Sequence, residues 1–153
     1  MMARLLVGIT TLAACGRSQP SADPHDPCAA EARADHFVDG LRKRGAAGAL
    51  DFALVSSEPA PPARGDNTWI VQLDAISSGA AGPVDGATIA VTPFMPDHGH
   101  GATVKVNVTA LPTAGQYRLA PINLWMPGYW ETTIRASHGS TSDSAVFKFC
   151  IAN

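Results

Sequence analysis

Apolar and polar residues alternate with a period of two along much of the chain. Two segments show the pattern most clearly, Leu-Asp-Phe-Ala-Leu at 50–54 and Trp-Ile-Val-Gln-Leu at 69–73, the second within a longer run at 68–76. A period of two places successive side chains on opposite faces of a β-strand. The pattern therefore predicts strands that each bury one face and leave the other face more polar.

The later part of the chain repeats this pattern in short segments. Further strands are predicted at 87–92, 104–109, 129–136 and 146–151, and the segments 116–119 and 122–125 are predicted as two short strands or one bent strand. Turns rich in glycine and proline separate them, and a proline-rich linker at 58–67 interrupts the earlier strands. This spacing favours an all-β fold, an immunoglobulin-like antiparallel β-sandwich of about seven to eight strands. A β-barrel is the alternative.

One segment near the front of the chain has helical spacing instead. Apolar residues recur at offsets of four, three and four, at Ala30, Ala34, Phe37 and Leu41. Asp26-Pro27 resembles a helix cap followed by a proline at the first helical position, and Gly45 is suited to end the helix. The sequence therefore predicts a short N-terminal helix at 28–44, followed by the sandwich domain at 45–153.

The first residues have the character of an export signal. A basic Arg4 precedes an apolar run of ten residues, which is too short for a membrane span of about 20 residues. Leu12-Ala13-Ala14-Cys15 resembles the bacterial lipobox, and the resemblance implies cleavage after residue 14 and a lipid on the Cys15 thiol. Gly16 then favours sorting to the outer membrane. The alternative is an ordinary signal peptide at 1–14 with a chance cysteine.

Residues 15–27 connect this leader to the domain. They are rich in Ser, Pro and Asp, cannot bury much apolar surface, and are interpreted as a flexible tether. The chain would then face the periplasm from the cell envelope, attached to the membrane through the lipid. Its net charge of -2 and its lack of a basic run make nucleic acid an unexpected partner.

The chain has three cysteines. With Cys15 assigned to lipid, Cys28 and Cys150 form an even pair in an oxidising compartment, which predicts a disulfide between them. The alternative is two unpaired thiols.

Metal-binding side chains are concentrated in Pro93–Gly101, Pro-Phe-Met-Pro-Asp-His-Gly-His-Gly. Met95, His98 and His100 supply a thioether and two imidazoles, the donors that copper(I) prefers. His98 and His100 are two residues apart, so on an extended backbone both side chains lie on one face. Asp97 is assigned to orient one imidazole from outside the ligand set.

A second stretch, Leu124–Trp130, repeats the Met-Pro pair. If strand pairing brings the two stretches together, Met126 completes a site with the first three donors. The alternative is that the methionines fill gaps beside Trp125, Tyr129 and Trp130. Those aromatic side chains would then form a packing or partner-binding surface, and the protein would be a metal-free interaction module.

Other kinds of site fit the sequence less well. The chain has no recognisable nucleophile turn and no base with an orienting partner. No residue is therefore assigned a catalytic role, and an enzyme is not expected. A structural zinc site is disfavoured because the cysteines are not closely spaced, and a blue-copper site because Cys150 is assigned to the disulfide.

Several short motifs together resemble the YtkA-like domain family, which is related to FixH-like proteins. The motifs are Gly65–Trp69, Pro83–Ala87, Met95–Gly101, Gly115–Tyr117 and Met126–Trp130, in that order within about residues 45–136. The resemblance implies an exported β-sandwich, often encoded or fused with metal-handling and efflux components. It also implies a copper role for Met95, His98, His100 and Met126, with a copper-handling or efflux protein as partner.

Overall fold

The computed structural model of the protein describes residues 26–77 and 80–153. Within these ranges it contains ten strands and no helix. The strands are β1 (Leu41–Arg44), β2 (Leu50–Glu58), β3 (Gly65–Ser77), β4 (Ala80–Pro83), β5 (Thr88–Met95), β6 (His100–Gly101), β7 (Asn107–Ala110), β8 (Gln116–Leu124), β9 (Gly128–His138) and β10 (Thr141–Ile151). The leader, Cys15 and most of the tether lie outside the described residues.

The strands form two sheets with antiparallel pairing throughout. One sheet has the order β1-β2-β3-β8-β7, with β4 paired to the end of β3, and the other has the order β10-β9-β5-β6. The predicted all-β antiparallel sandwich is confirmed. The strand number exceeds the expectation because β1, β4 and β6 are short strands in segments that the pattern assigned to a helix, a turn and the histidine stretch.

The inner faces of the sheets carry the predicted alternation. Trp69, on β3, is fully buried and meets Phe147 and Phe149 of β10 edge-on, with ring centroids 6.1 and 5.6 Å apart. Edge-to-face packing at this distance is a favourable aromatic geometry. One tryptophan therefore joins the two layers of the core.

The predicted helix at 28–44 is wrong. Residues 26–40 are irregular chain, Gly40 has a positive φ of 78°, and the remainder forms β1 beside β2. Phe37 packs against Phe149 with ring centroids 6.0 Å apart, and Leu41 also reaches the core. Two of the four residues in the helical pattern are alanines, which bury little surface, so contacts with the sandwich outweigh it.

The irregular segment 26–40, called the strap below, runs along the free edge of β10. The predicted disulfide between Cys28 and Cys150 is present. The Asp35 N–H donates to the Lys148 carbonyl at 2.7 Å, and the Lys148 N–H donates to the Asp35 carboxylate at 2.8 Å. The strap therefore pairs with part of an edge strand that would otherwise expose unpaired backbone groups.

One other strand prediction shifts, and the choice between two short strands and one bent strand is decided. The segment 104–109 forms a strand only from residue 107, because β7 is an edge strand that pairs with β8 alone and Val104 remains exposed. The segments at 116–119 and 122–125 form a single strand, β8, which is one of the two forms predicted for them. Across the described ranges, no helix has the length and apolar character of a membrane span.

Candidate metal centre

The two Met-Pro stretches are neighbours in the folded protein. We call residues 95–101 the His/Met corner and residues 125–130 the aromatic corner. The His100 imidazole stacks on the Trp125 indole, with ring centroids 5.5 Å apart and planes inclined by 22°. A Cβ built on Gly128 would lie 3.0 Å from the terminal methyl of Met95, so the two corners also meet beneath this stack.

A tight hairpin between β5 and β6 shapes the His/Met corner. The Met95 carbonyl accepts hydrogen bonds from the N–H groups of His98 and Gly99, at 3.2 and 2.9 Å. Gly99 has φ of 70°, a left-handed conformation that glycine adopts without steric cost. Met95 pairs with His100 across the hairpin, and directly opposed residues share one face of a sheet.

The candidate ligands lie at different depths. Met95 is completely buried, His100 and Met126 are half-buried, and His98 is exposed. The two imidazole centroids are 5.7 Å apart. A metal–imidazole bond is about 2 Å long, so rings with centroids about 5–6 Å apart can share one ion. The centroid distance therefore allows the two histidines to share a metal.

The aromatic corner is fixed by hydrogen bonds to its backbone. The Trp130 Nε1–H donates to the Met126 carbonyl at 2.9 Å, and the Arg64 Nε–H donates to the Trp125 carbonyl at 3.0 Å. Trp125 is 45 % exposed, whereas Tyr129 and Trp130 are 4 % and 1 % exposed. Of the three aromatic residues proposed for a surface, Trp125 presents its ring to solvent and the other two belong to the interior.

Asp97 contacts an arginine of the strap. Both carboxylate oxygens of Asp97 accept hydrogen bonds from the Arg33 guanidinium, at 2.8 and 2.6 Å. The sequence predicts an imidazole as the partner of Asp97. The hydrogen bonds from Arg33 are the main reason why the pKa of Asp97 lies below its usual value. The Arg33 guanidinium also lies 4.1 Å above the centre of the Tyr129 ring, a cation–π contact with the aromatic corner.

This contact was not visible in the sequence. Arg33 is 64 residues from Asp97, and a lone arginine in an apparent helix gives no sign of its partner. Tyr129, which lies under the Arg33 guanidinium, is held in turn by a hydrogen bond from its hydroxyl to Glu131 at 2.9 Å. Burial first, and then this hydrogen bond, raise the pKa of Tyr129. Arg33 thus connects the strap to both corners.

The donor chemistry at the corners is soft. Within residues 26–77 and 80–153, no group of three or more His, Cys, Asp or Glu side chains is arranged to hold a metal ion. Besides the two imidazoles, the soft side-chain donors present at the two corners are the thioethers of Met95 and Met126. Imidazole together with thioether suits copper(I), so the residues present fit that ion.

Comparison with known proteins gives one match. A protein-family model described as YtkA-like matches residues 45–135, which agrees with the resemblance found in the sequence motifs. The matched range contains both corners and leaves the strap outside. No curated protein matches the chain, and no solved structure does.

Proposed function

This chain belongs to the YtkA-like family, and from that premise we propose that it is an exported copper-binding protein whose metal centre lies at the His/Met corner. The observation that carries the proposal is the adjacency of the two corners. His100 stacks on Trp125 and the Met95 terminal methyl approaches Gly128, so the two corners that carry the candidate imidazole and thioether ligands are in contact.

Each ligand has a role that follows from its depth. Copper is the cargo of the protein, and His98 and His100 would hold it with Met95 and Met126. The exposed His98 imidazole is placed to take the ion from solvent or from a partner. His100 and Met126 are half-buried and Met95 is buried, so they would retain the ion at the protein surface.

The neighbouring charges support a preference for copper(I) over harder divalent ions. Asp97 is the one carboxylate within the His/Met corner, and Arg33 engages both of its oxygens. The ligands that remain are neutral imidazoles and thioethers. Neutral soft donors favour copper(I), whereas carboxylate oxygen favours harder cations.

The proposal includes a location. The disulfide between Cys28 and Cys150 suits an oxidising compartment, and the sequence of residues 1–15 has the features of a lipoprotein signal. We place the protein on the bacterial cell envelope, facing the periplasm and attached through lipid on Cys15. A copper-handling or efflux protein would be its partner, and the protein would bind its cargo without catalysing a reaction.

The alternative is a metal-free interaction module, and one observation favours it. Trp125 exposes nearly half of its surface, which is unusual for so large an apolar side chain. Because Tyr129 and Trp130 are buried, the contact surface would depend on a single ring. The copper proposal accounts for that ring and for the histidine stacked on it, so we prefer it.

The direct test is competition for copper(I) between the purified full chain and a chromophoric chelator. The measurement is made without oxygen and with ascorbate, because thiol reductants would open the disulfide. We expect one ion per chain. Replacing His98→Ala together with His100→Ala should weaken binding by more than about 100-fold, since loss of partners outside the ligand set already costs about 10- to 100-fold.

A matched control is available on the same chain. His36 and His138 are exposed histidines outside both corners, so His36→Ala with His138→Ala removes the same chemistry elsewhere. This control should bind copper(I) as the wild type does. Wild-type affinity in the His98/His100 double variant would overturn the proposed function.

A further inference from the structure

We infer that Trp125 is part of the metal centre, with its indole face forming one wall of the site and attracting a bound copper(I) through cation–π interaction. The inference rests on the proposed function and extends it to a residue with no conventional ligand atom. Indole is the strongest cation–π partner among the aromatic side chains, provided that the cation lies within about 6 Å of the ring.

The stacking geometry brings an ion into that range. An ion bound to an imidazole nitrogen lies in the ring plane, about 3 Å from the ring centre. The His100 and Trp125 planes are nearly parallel, inclined by 22°, with centroids 5.5 Å apart. Stacked carbon atoms keep a separation of about 3.5–4 Å, so the two rings are offset sideways by about 4 Å.

This offset determines where the ion would lie. A metal held by a His100 nitrogen on the side facing Trp125 would lie above the indole, about 4–5 Å from its centre. The same ion can be reached by the neighbouring His98, whose ring centroid is 5.7 Å from that of His100. The proposed site would therefore have imidazole ligands on one side and the indole face on another.

The exposure of Trp125 is consistent with such a wall. Its backbone carbonyl is held by Arg64, and the next residue's carbonyl is held by Trp130. Trp125 is 45 % exposed, whereas the neighbouring Trp130 is 1 % exposed and occupies the core. An indole ring beside the histidines would keep water from one side of the bound ion. The quadrupole of the indole would also stabilise the single positive charge of the ion without a carboxylate.

The test uses silver(I), a soft monovalent ion that does not change oxidation state in air, together with copper(I) under ascorbate. Tryptophan fluorescence is followed as each ion is added to the full chain. Trp69 and Trp130 are buried, and the signal that remains in Trp125→Phe measures their contribution. We expect quenching in the wild type that disappears in Trp125→Phe, because the reporting ring lies against the ion.

Affinity gives a second measurement that does not depend on fluorescence. Chelator competition should show copper(I) and silver(I) binding about 2- to 30-fold weaker in Trp125→Leu, with Trp125→Phe between it and the wild type. Phe94→Leu is the matched control, since Phe94 is exposed on β5 next to Met95 but faces the opposite side of the strand. It should bind both ions as the wild type does.

The outcomes separate this inference from the proposed function. If the wild type binds through His98 and His100, and Trp125→Leu binds with the same affinity, the inference is wrong and the proposed function stands. If the wild type takes up neither ion, both are wrong. Thermal unfolding of each variant is measured alongside, and Trp125→Phe keeps an aromatic ring in place if the leucine variant loses stability.

Discussion

The two ends of the four-stranded sheet are each secured by an aspartate, and the two aspartates work differently. Asp143 lies opposite Ala136 toward one end, and Ile151 lies opposite Gly128 at the other end, where the His/Met corner begins. Asp143 is 5 % exposed and accepts hydrogen bonds from backbone N–H groups. The donors are those of Ala47, Ala49, Leu50 and Ser144, at 2.8, 2.8, 3.0 and 2.8 Å.

Asp97 at the opposite end is half exposed and is held by one flexible side chain, Arg33. Buried hydrogen bonds to a charged group are strong and insensitive to salt, whereas exposed ion pairs are weak and screened. The sandwich therefore has one end fixed through main-chain groups and another end held by adjustable contacts. The candidate ligands lie at this second end, called the adjustable end because the paired Arg33 and Asp97 side chains are both about half exposed there.

The largest effect should follow from removing the disulfide, which lies at the adjustable end because Cys150 is paired with Tyr129. Replacing Cys28→Ser with Cys150→Ser should lower the free energy of unfolding by about 2–5 kcal/mol, since the bridge closes a long loop in the unfolded chain. Urea unfolding measures the loss.

Hydrogen exchange then locates the change. Amides of the strap and of residues 95–101 should lose protection in the double serine variant, while Ala49 and Leu50, which donate to Asp143, should keep theirs. Equal loss of amide protection at both ends would show that the two ends of the sheet are not independently secured.

The second effect in size concerns Asp143. Asp143→Ala leaves several N–H groups in the turn before β2 without their acceptor, so the free energy of unfolding should fall by about 2–3 kcal/mol. Copper(I) affinity should stay at the wild-type value because the substitution is at the other end of the sheet. Chemical unfolding and chelator competition on the same preparation test both statements.

The same residue predicts a pH dependence. Burial alone would raise the pKa of Asp143, but the four backbone donors outweigh it, and the pKa lies below its usual value. A carboxylate with a lowered folded-state pKa contributes stability that is present above about pH 4 and is lost as the pH falls through the folded pKa. Asp143→Ala should therefore lose less stability than the wild type on acidification below about pH 4. Parallel curves for the two proteins would contradict this role.

The contrast between the ends also explains which features could be predicted from sequence. The strand faces were predictable because alternation is local, and Trp69 with its alternating neighbours is buried as expected. The sequence predicts a shared site only if strand pairing brings the two corners together, because strand order cannot be obtained from a local pattern. The repeated Met-Pro pair nevertheless identified two stretches that meet.

Features that depend on distant partners were missed. Asp143 lies between the predicted strands at 129–136 and 146–151, but the structure places it in β10, and its carboxylate reaches residues more than 90 positions away. The strap was assigned to a helix, because its spacing showed neither the disulfide nor the reach of Arg33. Such contacts are set by tertiary packing, which overrides a weak local preference.

Arg33→Leu should have the smallest effect on stability. It tests most directly whether Arg33 controls the Asp97 carboxylate at the adjustable end. Exposed ion pairs add little to stability, so the unfolding midpoint should barely change. The substitution releases the Asp97 carboxylate beside His98, and an oxygen ligand at that position favours harder ions. The ratio of copper(I) to zinc(II) affinity should therefore fall in this variant.

Arg42 provides the matched control, since its exposed guanidinium likewise pairs with carboxylates, here those of Asp51 and Asp74, at 3.1 and 3.2 Å. Arg42→Leu should leave the affinity ratio unchanged. Salt supplies an independent check, because screening should loosen the Arg33–Asp97 contact in the wild type and lower the ratio there, but have little effect once Arg33 is gone. A ratio that changes equally in the two variants would mean that Arg33 contributes only general surface charge and does not control Asp97.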